Sequence, residues 1–318
     1  MKPTMVVLRA LGTGDFLTAV PALRALRRAR PDHRLVLAAP VAVAPLAALS
    51  RVVDVIHPTE DVTQFLAPGY DVDIAVNLHG EDPQSHRVLA STAPREFLGF
   101  GCPGIEYAGP EWRDDEHEVH RWCRLVAEGW GADADPTDLV LAPPDRGSIA
   151  PGAVVVHPGA PDPSRRWPVE RFADVARQLS ESGHPVVVTG SPAEASLARQ
   201  VQARAGLPAD SVLAGRTDLA GLAALVAEAR LVICSDTDLA HLASAYRTPS
   251  VVLFGPTPPS RCGPPAGGPH VPIWHGSGVG DARGEGVDPA LLRIEAQEVL
   301  SEAARLLTLT SARARRGR

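Results

Sequence analysis

The 318-residue sequence has few cysteines, a single lysine and no long apolar run. Its four cysteines lie far apart, and no pair has the C-x-x-C spacing of a zinc knuckle or a redox dithiol. The longest uncharged apolar stretch, Leu35–Leu49, contains two prolines and falls short of the ~20 residues that a membrane span needs. The N-terminus lacks a signal-peptide pattern. We therefore expect a cytoplasmic protein without an integral membrane segment, which leaves peripheral membrane contact open.

Charge and composition are ordinary for a globular protein. The formal net charge is −6, with 45% hydrophobic and 21% charged residues. The mild acidity argues against nucleic acid as a partner. The length suffices for about two domains, and for a core that needs no disulfide or metal.

Short apolar runs alternate with helical patterns along the chain. Several runs are continuously apolar, as in strands that are buried on both faces of a parallel sheet. Between them, residues such as Phe16, Val20 and Leu23 recur at helical spacing. This alternation predicts an α/β fold with covered parallel sheets. The predicted strands are Met5–Leu8, Leu35–Ala38, Val52–Ile56, Val72–Val76, Ala153–Val156, Val186–Thr189, Leu231–Cys234 and Val251–Phe254.

The alternation stops between about Gly99 and Gly152, and the Pro-rich stretch Pro143–Pro151 is the best candidate for a linker. Ligands of open α/β sheets bind beyond the carboxyl ends of the strands, so the residues after each strand are the candidates for function. The predicted segments are a Rossmann-like domain at residues 1–148, a second at 149–290, a helix at 289–307 that packs back across the first domain, and a disordered basic tail at 311–318.

Two glycines and an aspartate follow the first predicted strand. Gly12, Thr13 and Gly14 let the backbone turn next to a ligand, and Asp15 comes at the start of the helix. Asp15 is either an N-cap, worth ~1 kcal/mol, or a carboxylate that removes a proton from a substrate hydroxyl. The spacing is not G-x-G-x-x-G, so a dinucleotide site is not predicted.

The first strand of the second half leads into His157-Pro158-Gly159-Ala160 and then Ser164-Arg165-Arg166-Trp167-Pro168. Arg165 and Arg166 precede a helix N-terminus, and a guanidinium fork matches phosphate oxygens. The alternative is a solvated loop in which Trp167 packs as a hydrophobic staple.

Two more turns of the second half carry carboxylates. Asp236 and Thr237 follow a buried strand where a helix begins, which suits a diphosphate and sugar hydroxyls but also describes an ordinary cap. His241, further along, has the alternative of being a satisfied helical residue. Glu194 follows Gly190 and either bridges ribose hydroxyls or is a surface carboxylate of a first helical turn.

In their order along the chain, these segments resemble glycosyltransferase family 9, the ADP-heptose heptosyltransferases. The matching motifs are V-V-L-R-A-L-G-T-G-D, H-P-G-A with R-R-W-P-V-E-R-F, V-V-V-T-G-S-P-A-E, L-A-G-R-T-D-L, D-T-D-L-A-H-L-A-S-A and T-P-S-V-V-L-F-G-P-T. The resemblance implies a GT-B fold, two Rossmann-like domains whose parallel sheets face a central cleft. It implies an inverting, metal-independent transfer of heptose from an ADP-linked donor to an acceptor hydroxyl on a glycan or specialised metabolite. The nucleotide sugar is a substrate, and no cofactor is expected.

The resemblance also implies roles for individual residues. Asp15 takes the place of the general base, Arg165 that of the family's donor-phosphate lysine, and Glu194 that of the ribose-binding acid. The residues implied around the donor are Arg165, Arg166, Gly190, Glu194, Thr217, Asp236, Thr237, Asp238, Leu239 and His241. Those implied in the active-site loops are Gly12, Thr13, Gly14, His157 and Gly159, with no metal ligand.

Two departures from the family pattern leave other functions open. Asp238 stands where the family has glycine, and a carboxylate beside a diphosphate is repulsive by ~1 kcal/mol. The segment of residues 270–278 stands where family members often carry a cysteine. The alternatives are a nucleotide-sugar epimerase, which forms an isomer without an acceptor, and a non-catalytic homologue that binds the sugar nucleotide.

Overall fold

The structure is a computed structural model that describes residues 2–316, without the side chains from residue 310 onward. The chain divides into two compact units, Met1–Ala142 and Pro143–Arg318. The division therefore falls at the start of the Pro-rich stretch that the sequence marks as a linker.

The first unit contains a parallel five-stranded sheet flanked by helices. Its strands are β1 (Thr4–Leu8), β2 (Arg34–Ala39), β3 (Val55–Pro58), β4 (Ile74–Asn77) and β5 (Glu96–Leu98). Its helices are α1 (Thr13–Ala29), α2 (Ala44–Ser50), α3 (Pro83–Ala90) and α4 (Glu118–Trp130). The spatial order is β3-β2-β1-β4-β5, and α1 packs on α4.

The second unit repeats this architecture with another parallel five-stranded sheet. Its strands are β6 (Val154–His157), β7 (Val186–Val188), β8 (Leu231–Ser235), β9 (Ser250–Phe254) and β10 (His270–Trp274). Its helices are α5 (Val169–Glu181), α6 (Ala195–Ala205), α7 (Leu219–Ala227), α8 (Asp238–Tyr246), α9 (Pro259–Cys262), α10 (Pro289–Leu292) and α11 (Ala296–Arg316). The spatial order is β10-β9-β8-β6-β7.

All of the predicted strands are present, with ends that shift by a few residues. Two edge strands and one helix are missing from the prediction. β5 is very short, and β10 contains Pro272, which a strand tolerates at a sheet edge because it needs no second ladder there. Helix α4 lies inside the stretch where the alternation stops.

The predicted helix at residues 289–307 is two helices, α10 and α11, with a break at residues 293–295. At the break, the carbonyl of Ile294 accepts hydrogen bonds from the Trp167 indole, 3.1 Å away, and from Arg171. Helix α11 packs on α5, β8 and β9 through Val299 and Ala303. Its crossing over the first domain stays a prediction.

Helix α11 enters residues 311–318, the stretch predicted as a disordered tail, and is assigned as far as Arg316. The side chains of residues 310–316 and the whole of residues 317 and 318 lie outside the described part of the chain.

The edge strand β10 makes folding stability depend on pH. His270 lies 2.9 Å from the Ser250 hydroxyl, and burial lowers its pKa from 6.5 to about 4. His270 therefore binds a proton more readily in the unfolded chain than in the folded one. As a result, the stability present above pH 6.5 is lost as the pH falls toward 4. We expect wild-type protein to lose about 2 kcal/mol more than His270→Gln between pH 7 and pH 4.5 in urea unfolding. Equal losses in the two proteins would contradict this assignment.

Candidate functional site

Each sheet has a switch point, where the connections of two neighbouring strands leave in opposite directions and a crevice opens at the carboxyl ends. In the first unit it lies between β1 and β4, and in the second between β6 and β8. The loop from Gly12 to Asp15 follows β1. Those that contain Gly159 and Asp236 follow β6 and β8. The predicted site residues of each half therefore cluster at the ligand-binding edge of their own sheet.

In the first unit, Asp15 lies inside the first turn of α1 and not at its cap. The N-cap is Gly12, in extended conformation, and Thr13 and Gly14 open the helix. The N-cap interpretation of Asp15 is therefore wrong. The Asp15 side chain is 43% exposed, and its Oδ1 accepts a hydrogen bond from Arg9 Nη2 at 3.2 Å. The carboxylate is thus oriented by one cation while part of it faces solvent.

Arg9 is a fully buried arginine at the end of β1. It is 1% exposed and lies over the Trp122 ring, 4.5 Å from its centroid. Its Nη2 donates to Glu118 Oε1 at 2.8 Å, and its Nε donates to the Asp15 carbonyl at 3.0 Å. Arg9 belongs to one of the motifs that resemble the family, but no role is predicted for it from the sequence. Glu118 lies on helix α4, which the sequence pattern does not predict.

Glu118 is a charged partner in this buried cluster. Burial acts to raise the pKa of Glu118, but the charge and hydrogen bond of Arg9 outweigh it, with help from Arg121 and Trp122. The net result is a pKa below the ordinary value. Arg121 Nη1 donates to Glu118 Oε2 at 2.6 Å, and Trp122 Nε1 donates to Oε1 at 2.8 Å.

His79 belongs to the same edge of the sheet, just after β4. Its backbone N–H donates to Asn77 Oδ1 at 2.9 Å, and within residues 2–316 its buried Nδ1 has no hydrogen-bond partner. Burial, and then the charge of Arg9, lower the pKa of His79, and Asp15 and Asp82 act in the opposite direction. The sequence analysis missed His79, although its place just after a predicted strand could have drawn attention to it.

In the second unit, Gly159 lies against the Glu194 carboxylate, and His157 interacts with it electrostatically. A Cβ on Gly159 would come within 2.1 Å of Glu194 Oε1. Glu194 Oε2 accepts from the Ser191 backbone N–H at 2.7 Å in a capping box. Burial acts to raise the pKa of Glu194, but the hydrogen bond from Ser191 and the charges of His157 and Arg166 outweigh burial. The net pKa of Glu194 is therefore below its ordinary value. Glycine at position 159 is therefore what lets an ionised carboxylate reach this backbone.

Arg165 and Asp236 form an ion pair at the switch point. Arg165 Nη1 lies 3.3 Å from Asp236 Oδ2, and Asp236 is 5% exposed. Cys262 Sγ donates to Asp236 Oδ1 at 3.5 Å, a contact that sequence reasoning missed. In the described residues, the buried Arg165 Nε and His157 Nδ1 have no hydrogen-bond partner. Buried polar atoms are normally satisfied, so this arrangement is typical of a binding site.

The N-terminus of α8 completes the crevice. Thr237 is the N-cap in extended conformation, and its side chain makes no capping hydrogen bond in the described chain. The helix begins at Asp238, which is exposed. The positive end of the helix dipole, beside the Arg165 cation, suits a phosphate group.

The remaining predicted donor residues differ in how they reach this edge. Arg166 donates through Nε and Nη2 to the carbonyls of Ala160 and Pro161, so its fork shapes the loop after β6. Leu239 is 3% exposed and packs in the core. The three others lie in the turn after β7, just before α7 and within α8: Gly190, Thr217 and His241.

Two properties of the described residues bear on the class of site. No group of three or more His, Cys, Asp or Glu side chains between residues 2 and 316 is placed to hold a metal ion. In the same part of the chain, no helix is both long enough and apolar enough to span a membrane.

The chain belongs to glycosyltransferase family 9 (heptosyltransferase), whose family model matches residues 110–271, just over half of it. It is 32% identical over 158 residues to lipopolysaccharide heptosyltransferase 2 of Escherichia coli K12, a match covering 47% of this chain and 45% of that relative. The chain thus spans about half the length of the curated relatives it matches.

Solved structures of heptosyltransferases superpose on nearly the whole chain. The ADP-heptose lipopolysaccharide heptosyltransferase II of E. coli superposes with a TM-score of 0.77 at 22% identity, covering 97% of this chain and 99% of that one. An E. coli heptosyltransferase solved with ADP-2-deoxy-2-fluoro heptose gives a TM-score of 0.72 at 17% identity, with coverages of 95% and 99%. The fold is therefore GT-B, an α/β chain of two Rossmann-like units with parallel sheets, which confirms the predicted class.

Proposed function

We propose that the chain is an inverting glycosyltransferase that moves heptose from an ADP-linked donor to a hydroxyl of a glycan or specialised metabolite. The observation that carries the proposal is the crevice between β6 and β8, where Arg165 adjoins the uncapped start of α8. Family membership supports the reaction class. The solved relative that holds an ADP-heptose analogue supports the donor.

In this proposal the second unit binds the donor. The Glu194 carboxylate, held by Ser191 and admitted by Gly159, accepts hydrogen bonds from the ribose hydroxyls. Arg165 and the first N–H groups of α8 bind the diphosphate, because both place positive charge next to its oxygens. Buried Asp236 orients Arg165 and, in this proposal, accepts hydrogen bonds from donor-sugar hydroxyls.

The first unit supplies the base. Asp15 removes the proton from the acceptor hydroxyl as its oxygen attacks the anomeric carbon of the donor. The bond between that carbon and the diphosphate oxygen breaks, and the diphosphate leaves with the electron pair. Attack from the face opposite the leaving group inverts the anomeric configuration. Arg165 and the α8 N-terminus stabilise the negative charge that develops on the leaving group.

Asp238 is expected to weaken donor binding. Its exposed carboxylate stands at the first position of α8, where it competes with a diphosphate for the same positive helix end. We expect Asp238→Asn to bind ADP about 5-fold more tightly, since removing a like charge is worth ~1 kcal/mol. Isothermal titration of ADP at moderate salt measures this. Unchanged affinity would place the Asp238 side chain away from the phosphates.

Product analysis tests the reaction. Purified protein is incubated with ADP-heptose, with and without a lipopolysaccharide acceptor, because the curated relatives are named lipopolysaccharide heptosyltransferases. The proposal predicts acceptor-dependent ADP release and a new glycosidic bond of opposite anomeric configuration, which NMR detects. An isomeric nucleotide sugar formed without acceptor would identify an epimerase. ADP-heptose that binds and stays intact with every acceptor offered would favour the non-catalytic homologue.

A further inference from the structure

The buried cluster behind Asp15 has more charge than is needed to hold one carboxylate. Arg9 and Arg121 face Glu118 and Asp15, so two cations balance two anions. The Arg9 Nη2 atom is shared between the carboxylates, at 2.8 Å from Glu118 and 3.2 Å from Asp15. A buried cation that paired with Asp15 alone would favour its charged form strongly and weaken it as a base.

We propose that Glu118 is a positioning residue for Asp15. It pairs with Arg9 at the shorter distance, which leaves Asp15 oriented by Arg9 but able to accept a proton. This inference rests on the proposed role of Asp15 as the base. Glu118 does not need to touch a substrate, because it acts through Arg9.

The contacts and burial of Glu118 suit it to this positioning role. Its Oε1 also accepts from Trp122 Nε1 and its Oε2 from Arg121, so with Arg9 three donor atoms of three side chains fix the carboxylate. Its side chain is 22% exposed, against 43% for Asp15. The more buried carboxylate, Glu118, therefore makes the stronger ion pair with Arg9, and the more exposed carboxylate, Asp15, makes the weaker one.

Other titratable groups also act on this edge of the sheet. His79, after β4, interacts electrostatically with Arg9 and Asp15, and with Asp82 at the start of α3 and Asp61 after β3. These groups are the same in all the variants below, so a difference between variants reports on Glu118.

The test follows the Asp15 carboxyl carbon by ¹³C NMR against pH in the full-length protein, without nucleotide. The signal is assigned by its absence from Asp15→Asn. In Glu118→Gln, we expect the Asp15 titration midpoint at least about half a pH unit below wild type, since Arg9 then has one anionic partner. The control Glu116→Gln, which loses an ion pair with Arg124 in the same segment, should leave the midpoint unchanged.

If Glu118→Gln does not fold, Glu118→Asp keeps the charge at shorter reach and should move the midpoint in the same direction by less. An unmoved Asp15 midpoint in a folded Glu118 variant overturns the proposal. The outcome is separable from that of the proposed function, because ADP binding tests the second unit and this titration reads the first.

Discussion

Asp15→Asn is expected to cut turnover at least ~100-fold while ADP binding stays nearly intact. Asparagine keeps the shape of the side chain and an oxygen that accepts the hydrogen bond from Arg9 Nη2. It loses the ability to take a proton from the acceptor hydroxyl. Measured kcat should therefore fall, with little change in the Kd for ADP, which binds in the second unit under the proposal.

The matched control is Asp54→Asn. Asp54 also pairs with an arginine of the first unit, and its side chain is 47% exposed, close to the 43% of Asp15. It lies on the loop that precedes β3, so its loss should leave turnover near wild type. Near-normal turnover in Asp15→Asn would remove Asp15 from the role of base and leave the donor assignment standing.

The second large effect is expected from Gly159→Ala. The added methyl group would overlap Glu194 Oε1, so the carboxylate must leave its place beside the loop. That carboxylate ends a flexible side chain, so the fold should adapt with little loss of stability. Losing a charged hydrogen-bond acceptor for ribose is worth ~1.5–3 kcal/mol, so we expect about 10- to 100-fold weaker ADP binding.

Glu194→Ala should weaken ADP binding by a similar factor. The double variant should be no worse than either single one, because both changes remove the same interaction. Gly278→Ala serves as the control, since its added Cβ meets nothing within 4 Å. Additive losses in the double variant would show that Gly159 acts on the nucleotide by another route than Glu194.

Most of the fold was readable from the sequence because the central strands are buried on both faces. The runs Ala153–Val156 and Val251–Phe254 are apolar for that reason, and such runs predict the parallel architecture. The edge strands lack this signal. β10 contains a proline and half-buried residues, and its pairing with β9 arises from tertiary contact that local pattern does not record.

The site was readable in part, because its loops directly follow strands. Gly159, Glu194 and Asp236 were candidates by that rule, and each lies at the carboxyl edge of the second sheet. Arg9 and Glu118 were not found, because their pairing joins residues from distant parts of the sequence. The signal for Glu118 required α4 to be recognised as a helix and docked on α1, which no local motif indicates.

The central claim is that the second unit binds an ADP-linked donor, and a thermal-shift panel of ADP, UDP, GDP, dTDP and CDP tests it most directly. A ligand at 100 times its Kd adds ~2.7 kcal/mol to the free energy of unfolding, which such a measurement resolves easily. We predict stabilisation by ADP above the other four nucleotides, and its reduction in Gly159→Ala but not in Asp15→Asn. Preference for another nucleotide, or no shift with any of them, would contradict the claim.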